Sequence, residues 1–441
     1  MSVKPNPPSV PHAASPVSHA DRVDDDGGLP AKWNLVGPGL VVAATGVGAA
    51  DMVATLVAGS RYGYGLLWAV VLGVILKIIL VEGAGRYTLA TGKTIFEGWR
   101  SLGKWTTWYF GPYIMIWGFV YGATAMSSAA LPLAALFPAI DLKIWAVLMG
   151  VAGFVMVWFG KYEAFEKITA ALVGIMFVTV VGLAIIALPN VPDMLRGLVP
   201  MMPEGGLLYT LALAGGVGGT ITLAAYGYWL REKGWYTPKW MKVMRIDNTM
   251  AYVMTGIFVV AMLIVGAEVV RSAGVSISAG DEGLLDLQKV LDQRYGNFVG
   301  TAFLVGFWAA SFSSIIGVWN GVSLMFADFW GNMRGLPSGD PATRIGGKYF
   351  RFYVLWLTFP PMVLFLLNKP IGLILAYGVL GSLFMPFLAV TLLGLLNGKR
   401  APQAWANTWK GNVMLSITAL LFIVLGVQQL VSALKPLLGG A

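Results

Sequence analysis

The chain contains no cysteine, which excludes disulfides, thiolate metal sites and cysteine nucleophiles. Histidine is nearly as scarce. The two present, His12 and His19, both lie in the N-terminal tail, so no imidazole is available in the apolar part of the chain for metal binding or proton relay. Charge is also sparse. Only 12% of the 441 residues are charged, about half the ~25% of a soluble domain, so the chain cannot cover its own surface in water. No nucleophile–base pair stands in the apolar runs, and an enzyme is not expected. Gly92-Lys93 lacks the spacing of a phosphate loop, and no cofactor is expected.

Apolar residues make up 57% of the chain, and the mean hydropathy is +0.73. Runs of about 20 apolar residues recur along it, the length that a hydrocarbon core of ~30 Å requires. They predict an all-α integral membrane protein with eleven spans at about 35–58, 64–90, 107–136, 142–160, 164–188, 206–230, 248–270, 297–328, 349–367, 370–396 and 411–434. Residues 1–33, rich in Pro, Ser and Asp, read as a disordered tail without the apolar core of a signal peptide. Basic residues such as Lys93, Lys161, Arg231, Arg344 and Lys399 fall in alternate loops. That asymmetry predicts a cytoplasmic N-terminus, and eleven spans put the C-terminus outside. The net charge of +9 is assigned to those loops and not to nucleic-acid binding. A monomer in the cell (inner) membrane, with lipid and a small ion or small molecule as partners, is the expectation.

Two glycine clusters interrupt the spans. Span one carries Gly46-Val47-Gly48-Ala49-Ala50-Asp51, and span six carries Gly215-Gly216-Val217-Gly218-Gly219-Thr220. Glycine weakens a helix by about 1 kcal/mol relative to alanine. An unwound segment survives in a bilayer only where it lines a cavity or is buried in protein. Five spans separate the clusters, so the two copies run in opposite directions. Matched breaks of this kind point to an inverted-repeat transporter with a midplane site. The division is 34–190 for spans one to five and 191–396 for spans six to ten, with 397–441 adding span eleven. The alternative is that the glycines form small-residue packing faces.

Polar residues within the spans are then site candidates. Asp51 stands at the end of the first break as a cation or proton site, or else as one half of a structural pair. Carbonyls near Gly48 and Gly219 and the hydroxyls of Thr220 and Thr222 can add oxygens. Glu82 and Arg86 are four apart on span two and pair on one helix face. With Lys77 they form either a pathway or a structural cluster near the cytoplasmic end. Tyr226 follows the second break, and Ser311, Ser313, Ser314 and Asn320 form a polar stripe on span eight. The stripe lines a pathway or holds helices together.

The stretch Arg61-Tyr62-Gly63-Tyr64-Gly65-Leu66-Leu67-Trp68 resembles the Nramp family of divalent-metal transporters. The likeness continues at Ala90-Thr91-Gly92-Lys93, at Ser313-Ser314 through Gly321 to Asp328-Phe329, and from Ser382 to Pro386-Phe387. It covers most of residues 34–396. It implies the 5+5 inverted-repeat fold of the bacterial leucine transporter, with spans one and six broken. The metal-site motifs depart from the family. Where it has Asp-Pro-Gly-Asn, this chain has Gly48-Ala49-Ala50-Asp51. Where it has Met-Pro-His, this chain has Thr222-Leu223-Ala224. Span three lacks the acidic residues of the family's proton path, and a span-ten glutamine aligns near Gly378. The remaining oxygen ligands suit a hard ion such as Mg²⁺, Ca²⁺ or Mn²⁺. The expected function is a secondary transporter moving such a cation by alternating access. The alternatives are an organic-solute or ion-coupled carrier, or a relative that has lost metal binding.

Overall fold

A computed structural model describes residues 37–215, 218–274, 282–367 and 370–438. The tail over 1–33, with both histidines, lies outside the described residues, as do Gly216 and Val217 of the second cluster. At 370–379 and 382, which include Gly378 and Ser382, only the helix itself is described.

The described residues are helical with no strand, the form in which a spanning segment satisfies its own backbone in lipid. Span one is two helices, Pro38–Gly46 and Ala49–Tyr62, bent by 60° at the break. Span six is likewise split into Leu207–Gly215 and Thr222–Glu232. Spans two to five are Leu67–Thr91, Lys104–Leu136, Leu142–Phe159 and Tyr162–Ile186. Span seven, Met241–Val265, ends in a π-helical turn over Gly266–Val270. Span eight is Asn297–Met333. Span nine joins Lys348–Thr358 to a 3₁₀ turn over Pro360–Leu367, and spans ten and eleven are Pro370–Leu396 and Trp409–Leu438. Among the described residues seven of these helices are long and apolar enough to cross a membrane, or eight with the bent pair of span one taken as one crossing, and the other apolar runs of the sequence fall on shorter or split helices.

Span eight runs through the centre of the bundle and packs on spans one, three, five and six. Nearly every side chain in its middle is buried, because it is apolar or small all round. The outer spans turn Val178, Ile185 and Val427 outward, where lipid replaces protein contact. Short helices between spans were not legible as apolar runs. One of them, Ile95–Leu102, is fixed by a capping box: the Thr94 N–H donates to Glu97 Oε2 at 2.7 Å, and the Glu97 N–H donates to Thr94 Oγ1 at 3.2 Å. Its signal, Thr-x-x-Glu, is present in the sequence.

Candidate ion site at the touching breaks

The first break is the Val47-Gly48 pair. Gly48 is extended, and the helix restarts at Ala49. Asp51 is therefore the third residue of a new helix. Its Oδ2 accepts the Gly48 N–H at 3.1 Å, and its charge faces the positive end of the helix dipole. Local chain geometry alone thus places the carboxylate at the mouth of the break.

The second break turns at Gly218 and Gly219, with φ of 91° and 93°. Only glycine adopts that region freely. The two breaks touch. A Cβ built on Gly46 would fall inside the Gly218 carbonyl group and 2.5 Å from Gly219 N. The carbonyls released by the second break are taken by side chains. Tyr252 donates to Gly218 O at 3.2 Å, and the Lys77 ammonium donates to Gly219 O at 2.6 Å. Lys77, which the sequence grouped with Glu82 and Arg86 despite a spacing that fits helix pairing poorly, thus makes its bond to the second break and not to those residues. Two turns away from that cluster, it is wholly buried against span six.

Between the breaks lies a cavity of about 50 Å³. Its lining includes Thr45, Gly46, Gly48 and Asp51 of span one, Gly219, Thr220 and Thr222 of span six, Ser311 and Ser314 of span eight, and Trp117, Tyr121, Thr124 and Ser128 of span three. At ~10–15 Å³ per water centre this holds a few waters. Three buried polar atoms on the wall have no partner: Thr222 Oγ1, Ser311 Oγ and Trp117 Nε1. Such groups are satisfied in native proteins by ordered water or a ligand. Trp117 stacks on Tyr121 at 4.5 Å, which fixes where its N–H points. Among the described residues no three His, Cys, Asp or Glu side chains converge. An ion here would meet one carboxylate, several hydroxyls and its own water.

Five residues chosen from the sequence, Gly48, Asp51, Gly219, Thr220 and Thr222, line this cavity. The other five stand elsewhere. Glu82 bonds Arg86 at 3.1 Å and Arg245 at 3.0 Å, and Arg86 reaches Trp405 O and Asn407 Oδ1. They tie spans two and seven to the segment before span eleven and, with Arg245, line a separate pocket away from the breaks. Ser313 donates to Ala310 O of its own helix. Asn320 accepts from Trp229 Nε1 at 2.8 Å, locking span six to span eight. On the polar stripe of span eight it is Ser311 and Ser314 that face the cavity.

Tyr226 belongs to a latch that the sequence did not reveal. Asp247, at the start of span seven, accepts the Gly37 N–H at 3.0 Å, the Gly39 N–H at 2.6 Å and the Tyr226 hydroxyl at 2.9 Å. It caps the first half of span one from another span. Beside Gly37, Lys233 pairs with Glu166 at 2.7 Å. Asp247→Ala would strand the Gly37 and Gly39 N–H groups, each worth about 1–3 kcal/mol, and leave the Tyr226 hydroxyl with Met244 O at 3.3 Å. The expected result is a clear fall in the thermal unfolding midpoint, larger than that of Tyr226→Phe, which removes one bond. An unchanged midpoint for Asp247→Ala would overturn the latch.

A bundle of apolar helices, with two breaks meeting over a small polar cavity, has the fold of the inverted-repeat membrane transporters. It superposes on the Eremococcus coleocola manganese transporter, crystallised with an aromatic bis-isothiourea compound, with a TM-score of 0.79 at 15% identity, covering 94% of this chain and 90% of that one. It also matches MhsT in complex with L-phenylalanine, with a TM-score of 0.63 at 15% identity over 92% and 99% of the two chains. The chain belongs to the natural resistance-associated macrophage protein-like (Nramp) family, whose profile matches residues 39–432. Among its relatives is the divalent metal cation transporter MntH of Chromohalobacter salexigens, 26% identical over 319 residues, which are 68% of this chain and 72% of that one. The MntH of Bacillus subtilis is 24% identical in an alignment of 454 positions that covers 96% of this chain and 98% of that one.

Proposed function

We propose that this protein carries a hard divalent metal cation across the membrane by alternating access, and that Asp51 is the single anionic ligand. The observation that supports this most is the cavity itself. It joins one carboxylate to unpartnered hydroxyl and indole groups at the meeting of the two breaks. Hydroxyl, carbonyl and carboxylate oxygens suit Mg²⁺, Mn²⁺ or Ca²⁺. Thr222 and Ser311 bind the ion or its water, and the Trp117 N–H, a donor only, can reach only the water. Transport, and no covalent chemistry, is the activity assigned. An organic solute fits less well, because pockets for such ligands span about 300–1,000 Å³.

The chain works as a monomer in the cell membrane with its N-terminus in the cytoplasm, an orientation supported by the basic loops. Residues 34–190 and 191–396 act as the two halves of the inverted repeat. MntH relatives named as divalent metal cation transporters support the substrate class. Calorimetry on the purified protein tests it. Mn²⁺ or Mg²⁺ is expected to bind at one site, with no preference for the softer Cd²⁺. The absence of heat with Mn²⁺, Mg²⁺ and Ca²⁺ alike would overturn the proposal.

A further inference from the structure

We propose that Lys77 is a resident cation of the transport site: its ammonium holds the coordination place that the second break would otherwise offer to the cargo. The inference rests on the cation-carrier reading above. Lys77 is fully buried on span two. Its one short oxygen contact is Gly219 O, at 2.6 Å. Among the described residues no carboxylate lies within ion-pair distance of it. Its other neighbours are soft: Met385 Sδ at 3.9 Å and the Phe422 ring at 5.3 Å. Its stem packs over Gly218, where a Cβ would meet Lys77 Cγ at 3.6 Å.

A buried ammonium that is not ion-paired is costly, and its location needs a reason. The reason offered here is the unwound carbonyl. Gly219 is one of the residues that line the cavity, and a carbonyl released by a break is an oxygen ligand for a cation. Lys77 fills that role with a charge the protein carries itself. Two consequences follow for the cargo. The ion is held from the Asp51 side of the cavity, without Gly219 O in its shell. It also binds against one fixed positive charge, in a medium where charges interact strongly. The site with Lys77 and Asp51 is formally neutral before the ion enters. Phe422 lies on span eleven, outside the inverted repeat. That span therefore has a part in the site, as one wall of the lysine's pocket.

The test is divalent-ion calorimetry on the full-length protein, with Mn²⁺ and Mg²⁺ as probes. Lys77→Met removes the charge and frees Gly219 O. It is expected to tighten binding about tenfold. Lys77→Gln removes the charge but keeps a donor for that carbonyl, and is expected to tighten it less. Lys77→Arg keeps the charge and is not expected to tighten it. If wild type binds and neither neutral variant tightens, Lys77 is only a structural tie and the inference falls while the carrier reading stands. If wild type binds neither ion but Lys77→Met binds one, the carrier reading falls and the inference falls with it. If no variant binds either ion, both fall.

Discussion

Asp51→Asn is expected to weaken divalent-cation binding by about 100-fold or more, equivalent to about 2.7 kcal/mol. The substitution is chosen to separate two roles of one carboxylate. Asp51 both caps the Gly48 N–H and supplies the negative charge on the cavity wall. Asparagine keeps an acceptor oxygen for the cap and keeps the shape. It loses only the charge, and the described cavity wall holds no second carboxylate to replace it. Calorimetry with Mn²⁺ and Mg²⁺, together with uptake into proteoliposomes, reads the result. Thr222→Ala removes one unpartnered hydroxyl and is expected to weaken binding only several-fold, since a neutral hydrogen bond is worth about 0.5–1.5 kcal/mol. Wild-type affinity in Asp51→Asn would move the site away from the first break.

Gly46→Ala is expected to be a severely damaging single-methyl change. The added Cβ would overlap the backbone of Gly218 and Gly219. Backbone cannot rotate out of the way as a side chain can, so the two broken spans must separate. Overpacking costs typically about 1–3 kcal/mol, and here the strain falls on the contact that shapes the cavity. The expected outcome is loss of monodisperse protein, or folded protein that binds no cation. Gly48→Ala is the control. Its Cβ would meet only Ser314 Oγ at 3.5 Å, an ordinary contact, so the fold should survive. A Gly46→Ala protein indistinguishable from wild type would show that the breaks do not touch.

These two positions also show how far the sequence could be read. Asp51 was legible because a carboxylate next to a glycine cluster in an apolar run has few bland explanations. Gly46-Val47-Gly48 was legible as the match of Gly216-Val217-Gly218, because paired glycine breaks five spans apart mark the two halves of an inverted repeat, whereas the contact of Gly46 with Gly218 and Gly219 came from the structure. Lys77 was not legible in this way. It was grouped with Glu82 and Arg86 as a charge on the same span, though five residues before Glu82 is a poor helix-pair spacing, and nothing in the local sequence says that span two presents it to Gly219. Asp247 was missed for the same reason. Its partners Gly37 and Gly39 are more than 200 residues away, and no periodicity connects them. Ser311 and Ser314 face the cavity while Ser313 turns to its own helix. A stripe of hydroxyls gives the composition of a face, but not which side of the face meets the ion.

The sequence by itself determined the membrane class, the order of the apolar runs, the two breaks and the place of Asp51 beside the first of them. Each follows from short-range physics: the length of an apolar run, the weakness of glycine in a helix, and the cost of charge in lipid. The tertiary structure decided which polar groups share the cavity, which carbonyl the lysine occupies and which carboxylate latches span one. Those pairings join residues that are distant along the chain. They depend on helix rotation and depth, which are set by packing against neighbouring spans.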